Sequence, residues 1–331
     1  MEETPLSNES PERSLSSFEK LEDPNNNLKY GMRGVQYLSG SLIFIADYED
    51  YIFLYREKPF RPCVKYNSWV NNAKYTFLWK KFNALFVGLD NGFILTFKIT
   101  KDLKLKLIHK MKAQDGRVRS MQVIDGKNLV ITAGNQSIRF FNSKSLRPLD
   151  KIETSEPIFS ADIIYIKKHN LIAVSAESGN INLFDLDSKK LALKISNLQY
   201  NSRYLFSLTY SEIYDTLYSV MSNGELVQCK VNNEKVLSKN EIKLPVKKGF
   251  PWKIELIRND SCILATFGNE NIYLYEIKMK SWRLIPTDLK KAYGFVLNHN
   301  KKFLLLSSFE GNFEKIPISQ LEQNLTLYRK A

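Results

Sequence analysis

The amino-acid sequence predicts an all-β fold, a seven-bladed β-propeller of four-stranded antiparallel blades. The first observation is a hairpin pattern in which an apolar strand, a polar turn and an alternating strand follow one another, as in Ala84–Phe97 and Asn170–Phe184. The second observation is that this hairpin recurs. The last residue of the second strand of each hairpin follows the previous one by 42, 44, 43, 45, 46 and 41 residues. A nearly constant period of this length is typical of repeat architectures. The residues that define it are Tyr55, Phe97, Phe141, Phe184, Cys229, Tyr275 and Ile316.

Each repeat also has a strand-like run on either side of its hairpin. In the second repeat Tyr75–Trp79 precedes the hairpin and Leu105–Lys110 follows it, and in the fourth repeat Phe159–Ile163 is the preceding run. Four short strands rich in β-branched and aromatic residues, separated by turns of Asn, Asp, Gly and Lys, indicate a meander. Long amphipathic helical patterns are absent from the sequence. A ring of such sheets is therefore expected, since neighbouring sheets cover each other's faces.

The composition is that of an ordinary globular protein in a reducing compartment. The chain has 331 residues, of which 44% are hydrophobic and 25% charged, and no apolar run has the length of a membrane helix. The three cysteines, Cys63, Cys229 and Cys262, are widely separated, which excludes a zinc site of paired CxxC type. The acidic start lacks the features of a secretory or mitochondrial targeting segment. We therefore expect a cytoplasmic or nuclear protein without a transmembrane segment.

At the level of period and strand layout, residues 14–331 resemble the WD-repeat (WD40) family. In that family the third strand of each repeat ends in Trp-Asp, a dipeptide that Phe184-Asp185 approaches here, whereas the Gly-His signature is absent. A narrower resemblance is to the propeller of WD-repeat proteins with a FYVE domain, based on Leu85–Gly92 and the Lys-rich connection Lys98–Lys112. Three scattered cysteines cannot form a FYVE zinc domain, so the lipid activity of that family is not expected here.

The two ends of the chain differ in their expected roles. Residues 1–27 contain seven acidic and two basic residues within a chain whose net charge is +13, and we expect residues 1–13 to be a flexible acidic tail. Residues 14–331 are expected to form a single propeller. Its seventh blade needs an outer strand, for which Leu15–Leu21 and Asn324–Tyr328 are both candidates. We favour the N-terminal segment, because propellers of the WD-repeat type commonly join their ends in this way.

Lysines are concentrated in one set of turns. In a meander, the turns between the first and second strands and between the third and fourth strands lie on one rim. We call this the cationic rim, and it is interpreted either as a surface that attracts RNA or an anionic membrane or as solvated turn residues. Lysine outnumbers arginine there and exposed aromatic residues are lacking, which favours diffuse attraction over base recognition. Its candidate residues are Lys80, Lys81, Lys98, Lys101, Lys167, Lys168, Lys189, Lys190, Lys301 and Lys302.

The opposite rim is the conventional binding surface of WD-repeat proteins. It consists of the turns between the second and third strands and the connections between repeats, and we call it the partner rim. Its aromatic and arginine side chains are of the types that dominate the energetics of protein interfaces. The alternative is that several of them are first residues of strands and pack between blades. The candidates are Trp69, Arg117, Arg119, Phe159, Tyr204, Trp252 and Tyr293.

Catalytic patterns are scarce in the sequence. The three histidines are far apart, and phosphate-binding glycine motifs and nucleophile motifs are absent. We therefore expect a non-catalytic scaffold or adaptor that mediates protein–protein interaction within a multiprotein complex and has no catalytic residue, cofactor or metal. The alternative is a propeller that attaches to RNA or an anionic membrane surface through its cationic rim.

Overall fold

In the part of the chain that the structure describes, the strands form seven antiparallel sheets, six of four strands and one of five. Each of the seven residues that define the sequence period lies on the third strand of its own sheet. The computed structural model describes residues 19–21, 32–39, 42–47, 51–56, 61–67, 73–79, 84–102, 104–158, 162–196, 205–221, 224–231, 236–243, 252–268, 271–298, 300–308, 310–323 and 326–328.

The sheets are numbered in chain order. Sheet 1 consists of β2 (Met32–Ser39), β3 (Leu42–Asp47), β4 (Tyr51–Arg56) and β5 (Arg61–Asn67), after a short strand β1 (Glu19–Leu21) that belongs to sheet 7. Sheet 2 consists of β6 (Ala73–Trp79), β7 (Ala84–Leu89), β8 (Phe93–Ile99) and β9 (Leu105–Lys112). Sheet 3 consists of β10 (Ser120–Ile124), β11 (Leu129–Gly134), β12 (Ser137–Asn142) and β13 (Pro148–Glu153).

The second half of the chain continues the pattern. Sheet 4 consists of β14 (Ile164–Ile166), β15 (Leu171–Ser175), β16 (Ile181–Asp185) and β17 (Leu191–Ile195). Sheet 5 consists of β18 (Leu205–Ser211), β19 (Thr216–Met221), β20 (Glu225–Val231) and β21 (Val236–Lys243). Sheet 6 consists of β22 (Lys253–Ile257), β23 (Cys262–Thr266), β24 (Asn271–Glu276), β25 (Ser281–Pro286) and β29 (Thr326–Tyr328). Sheet 7 consists of β26 (Ala292–Leu297), β27 (Phe303–Ser308), β28 (Phe313–Pro317) and β1, and a helix α1 (Gln320–Gln323) follows β28.

The first strands of the sheets lie side by side around an axis. Each first strand contacts the first strand of the next sheet, from β2 to β6 and onward to β26, which in turn contacts β2. The core lies between adjacent sheets, because residues that alternate along a strand face opposite neighbours. For example, Leu85 and Val87 pack with sheet 1, whereas Phe86 packs with sheet 3. The architecture is an all-β propeller with four-stranded antiparallel blades, as the sequence predicts.

The N-terminal strand joins the two ends of the chain. β1 pairs with β28, with Glu19 opposite Lys315 and Leu21 opposite Phe313. The preference for the N-terminal segment as the closing strand is thereby confirmed over Glu19–Leu21, while residues 15–18 and the predicted tail 1–13 lie outside the described residues. The other candidate also contributes a strand, but β29 pairs with β25 and becomes the fifth strand of sheet 6.

The outer edge of sheet 6 differs from the edges of the five sheets before it. In sheets 1 to 5 the pairing between the third and fourth strands contains a register shift, whereas β24 and β25 pair without one. A register shift of this kind interrupts the row of backbone groups along an edge. β25 therefore presents an even edge, and this is where the additional strand binds.

One strand lies later in the chain than the sequence pattern predicts. The first strand of sheet 4 is Ile164–Ile166; of the predicted run Phe159–Ile163, residues 162 and 163 precede this strand, and residues 159–161 lie outside the described residues. A 3₁₀ turn at Lys167–His169 follows it, and Asn170 has a left-handed φ of 55°. This turn determines the register of the hairpin, in which Ile166 pairs with Leu171. The position of β14 follows from that pair.

Candidate functional site

Backbone hydrogen bonds bring the elements of the partner rim together. The Val118 N–H donates to the Leu89 carbonyl at 3.1 Å, and the Gly268 N–H donates to the Ala292 carbonyl at 3.0 Å. The first bond joins the connection between sheets 2 and 3 to the end of β7, and the second joins the turn after β23 to the start of β26. These described elements of the partner rim are therefore anchored to the sheets.

Of the seven predicted partner-rim residues, the structure describes the side chains of three. Arg117 and Arg119 lie in the connection between β9 and β10, and Trp252 directly precedes β22. Tyr293 lies on β26. The predicted residues that lie outside the described residues are Trp69, Phe159 and Tyr204.

The turn at Asp90–Gly92 positions the two arginines. The Gly92 carbonyl accepts hydrogen bonds from the backbone N–H groups of Ala113 and Gln114, at 2.8 and 3.0 Å, so the start of the connection lies directly on the turn. The Arg117 side chain is 50% exposed, and its Nε lies 3.8 Å from Oδ2 of the Asp90 carboxylate, which is 8% exposed. The Arg119 N–H donates to the Ala133 carbonyl at 2.7 Å. The Arg117 side chain thus pairs with Asp90 through Nε, and half of its surface stays accessible.

Gln114 organises the same connection, and sequence reasoning does not identify it. Its buried side-chain amide donates to Oγ1 of Thr132 at 2.8 Å, and its Oε1 accepts a hydrogen bond from Ser137 Oγ at 2.7 Å. Two strands of sheet 3 are thereby tied to the connection from sheet 2. The sequence contains no signal for this contact, because a single buried glutamine has no characteristic spacing.

Trp252 is half-buried against the backbone of a neighbouring turn. The backbone N–H of Trp252 donates to the Thr266 carbonyl at 2.9 Å. The turn contains Gly268, whose φ is +66°, and a Cβ placed there would lie 2.5 Å from Nε1 of the indole ring. The glycine therefore provides the space that the ring occupies. Trp252 combines the partial exposure of an interface residue with the packing of a structural one.

Backbone hydrogen bonds also join described turns on the cationic rim. The Leu186 N–H donates to the Asn170 carbonyl at 2.9 Å and the Ile277 N–H donates to the Ser261 carbonyl at 3.1 Å, so the two turns of one sheet lie together. Lys189 is half-buried, with its Nζ 4.5 Å from the centre of the Phe140 ring. Lys80 and Lys81 lie outside the described residues. The remaining predicted lysines are exposed, and they are Lys98, Lys101, Lys167, Lys168, Lys190, Lys301 and Lys302.

Asp215 joins sheets 4 and 5 on this rim. Its carboxylate accepts hydrogen bonds from Lys168 and from the Tyr210 hydroxyl, and His169 Nε2 lies 2.8 Å from its Oδ1. Burial acts to raise the pKa of Asp215, but the hydrogen bonds from Lys168, Tyr210 and His169 outweigh it and lower the pKa to about 2. At neutral pH the carboxylate is therefore a charged inter-sheet link, and Lys168 is partly neutralised by it.

Replacing Asp215 with Asn should change how stability depends on pH. Because the folded-state pKa is lower than that of an unfolded aspartate, the charged group stabilises the fold above about pH 4, and this contribution is lost as the pH falls toward 2. We expect Asp215→Asn to lower the free energy of unfolding by about 1–2 kcal/mol at neutral pH and to reduce its loss on acidification. Urea denaturation between neutral and acidic pH measures both effects. The exposed Asp187, which pairs with Lys127 at 3.1 Å, is the control, and an Asp215→Asn variant with the same profile as Asp187→Asn contradicts the assignment.

A metal site or membrane helix is not found in the part of the chain that the structure describes. No group of three or more His, Cys, Asp or Glu side chains in those residues is arranged to hold a metal ion. None of the helices among them is long and apolar enough to cross a membrane. Comparison with protein-family models gives no match, and comparison with curated proteins gives no significant match either.

Proposed function

We propose that the chain is a non-catalytic, WD-repeat-like scaffold that assembles a protein complex through its partner rim. A β-propeller fold is commonly a platform for protein interaction, and we take the seven sheets as the blades of one ring that spans residues 14–331. The buried thiol of Cys262 is not paired in a disulfide. It supports a cytoplasmic or nuclear location, where cysteines are kept reduced.

The observation that supports this proposal best is the pairing of exposure with rigidity at Arg117 and Trp252. Arginine and tryptophan are frequent hot-spot residues, and side chains that are already held in place lose less conformational entropy on binding. Arg117 pairs with the Asp90 carboxylate and Trp252 packs against the turn at Gly268, while each keeps part of its surface accessible. A partner with a carboxylate and an apolar pocket would complement these two groups.

The test is affinity purification of Arg117→Ala and Trp252→Ala variants from cells, with partners quantified by mass spectrometry. We expect each variant to lose the same specific partners, with little dependence on salt, because desolvated anchors act mainly on dissociation. Arg147→Ala is the matched control, because Arg147 is exposed on the opposite rim.

The unfolding of each variant is measured first, because Trp252 is partly packed and its replacement also removes contacts within the fold. The Arg117 side chain is half exposed, so Arg117→Ala should leave the fold intact and test binding alone. If both variants unfold cooperatively and retain every partner of the wild type, the partner rim is not the binding site.

A further inference from the structure

The four most exposed large apolar side chains in the described part of the chain all lie at the cationic rim. They are Leu149, Leu191, Ile213 and Met279, which are 55%, 50%, 64% and 68% exposed. Ile213 and Met279 lie within turns of sheets 5 and 6, and Leu149 and Leu191 lie at the starts of β13 and β17, beside the turns that precede these strands. Isolated exposed apolar residues are common, but their concentration on one rim needs a physical reason.

Two of the four apolar side chains on this rim stand directly beside exposed lysines. Met279 stands between Lys278 and Lys280, and Leu191 directly follows Lys190, all three lysines being exposed. Lysines beside exposed aliphatic side chains are characteristic of surfaces that bind anionic lipid. In that setting the aliphatic groups enter the boundary between headgroups and acyl chains, and the ammonium groups face the phosphates.

Other polyanionic or protein partners fit this rim less well. Single-stranded nucleic acid is bound by aromatic side chains that stack on bases, and leucine, isoleucine and methionine offer no such stacking. Cores of protein interfaces are depleted in lysine. Both observations favour a lipid surface, and we propose that the cationic rim docks the protein on an anionic membrane leaflet.

The turns that present Ile213 and Met279 are fixed by hydrogen bonds. Ser211 Oγ donates to Oδ2 of Asp260 at 2.9 Å, linking the turns of sheets 5 and 6, and it accepts a hydrogen bond from the Tyr214 N–H at 3.1 Å. The Ile277 N–H donates to the Ser261 carbonyl at 3.1 Å. The two apolar side chains are therefore held outward on adjacent sheets. Docking through this rim leaves the partner rim facing away from the membrane, so the inference does not depend on the proposed scaffold function.

The experiment is cosedimentation of the full chain with vesicles of phosphatidylcholine alone or of phosphatidylcholine mixed equally with phosphatidylserine. We expect binding to the anionic vesicles only. Replacing Ile213 and Met279 together with Ser should weaken that binding about tenfold through the loss of buried apolar area. Replacing Lys278 and Lys280 together with Gln should weaken it by a similar factor, roughly tenfold at low salt and less at high salt.

The matched control is the replacement of Leu107 and Ile108 with Ser. These two side chains are also exposed and apolar, but they lie in the middle of β9, away from the turns. This variant should bind anionic vesicles as the wild type does, and all variants should unfold at the same temperature, because the replaced side chains are on the surface. The proposal is overturned if the wild type does not bind anionic vesicles, or if the Ile213 and Met279 variant binds as well as the control. Binding of polyuridylic acid that exceeds vesicle binding and survives the serine replacements overturns it in favour of a nucleic-acid surface.

Discussion

Removal of residues 1–22 should destabilise the protein strongly, because it removes β1 from sheet 7. The strand forms three residue pairs with β28 and covers a strand whose Glu314 and Phe313 side chains are 0% and 1% exposed. Glu314 also accepts a hydrogen bond from the Asp288 N–H at 3.0 Å. Loss of the three paired residues and exposure of this edge should lower the free energy of unfolding by about 2–4 kcal/mol. We expect a fall in melting temperature of roughly 3–6 °C.

Two other truncations separate ring closure from the simple loss of a strand. Removal of residues 1–12 leaves β1 intact and should not change the melting temperature. Removal of residues 324–331 eliminates β29, which also forms three residue pairs but joins a sheet that is complete without it. Its effect should therefore be much smaller. Equal melting temperatures for the 1–12 and 1–22 truncations, measured by differential scanning calorimetry, would show that β1 does not stabilise the ring.

Replacing Gly92 with Ala should also have a large effect, and it should extend to the partner rim. Gly92 has a φ of +84°, and a Cβ at this position would lie 2.2 Å from the Gln114 carbonyl oxygen and 2.3 Å from that of Gly116. Both contacts are with backbone, so the connection that bears Arg117 and Arg119 must move. Strain and overpacking together should lower the free energy of unfolding by about 2–4 kcal/mol.

The control for this prediction is Gly126→Ala, because a Cβ at Gly126 meets no atom within 4 Å. Its stability in urea should be unchanged or slightly increased. The Gly92 variant should also lose the partners that depend on Arg117 under conditions where it remains folded. A Gly92→Ala variant as stable as Gly126→Ala would mean that the turn adjusts without cost.

The fold can be predicted from local patterns in the sequence, whereas the two rims depend on contacts between residues that are distant in the sequence. Alternation of apolar residues around Phe97 and Phe184 is enough to locate third strands, because the strand period of two is a local property. The apolar pattern places the start of this strand too early, because the turn at Lys167–His169, rather than apolar content, determines where β14 pairs. The Asp215 link and the exposure of Ile213 and Met279 depend on how neighbouring sheets approach, which no single segment encodes.

The pairing of β1 with β28 also determines the order in which the protein can be completed during synthesis. These strands are far apart in the chain, so β1 leaves the ribosome long before the strand with which it pairs. At roughly 5–20 residues per second, β1 has to wait about 15–60 s before β28 has been made. During that time β1 lacks its partner and sheet 1 lacks its neighbour in sheet 7. Chaperones that shield unpaired strands should therefore be needed most just before sheet 7 emerges.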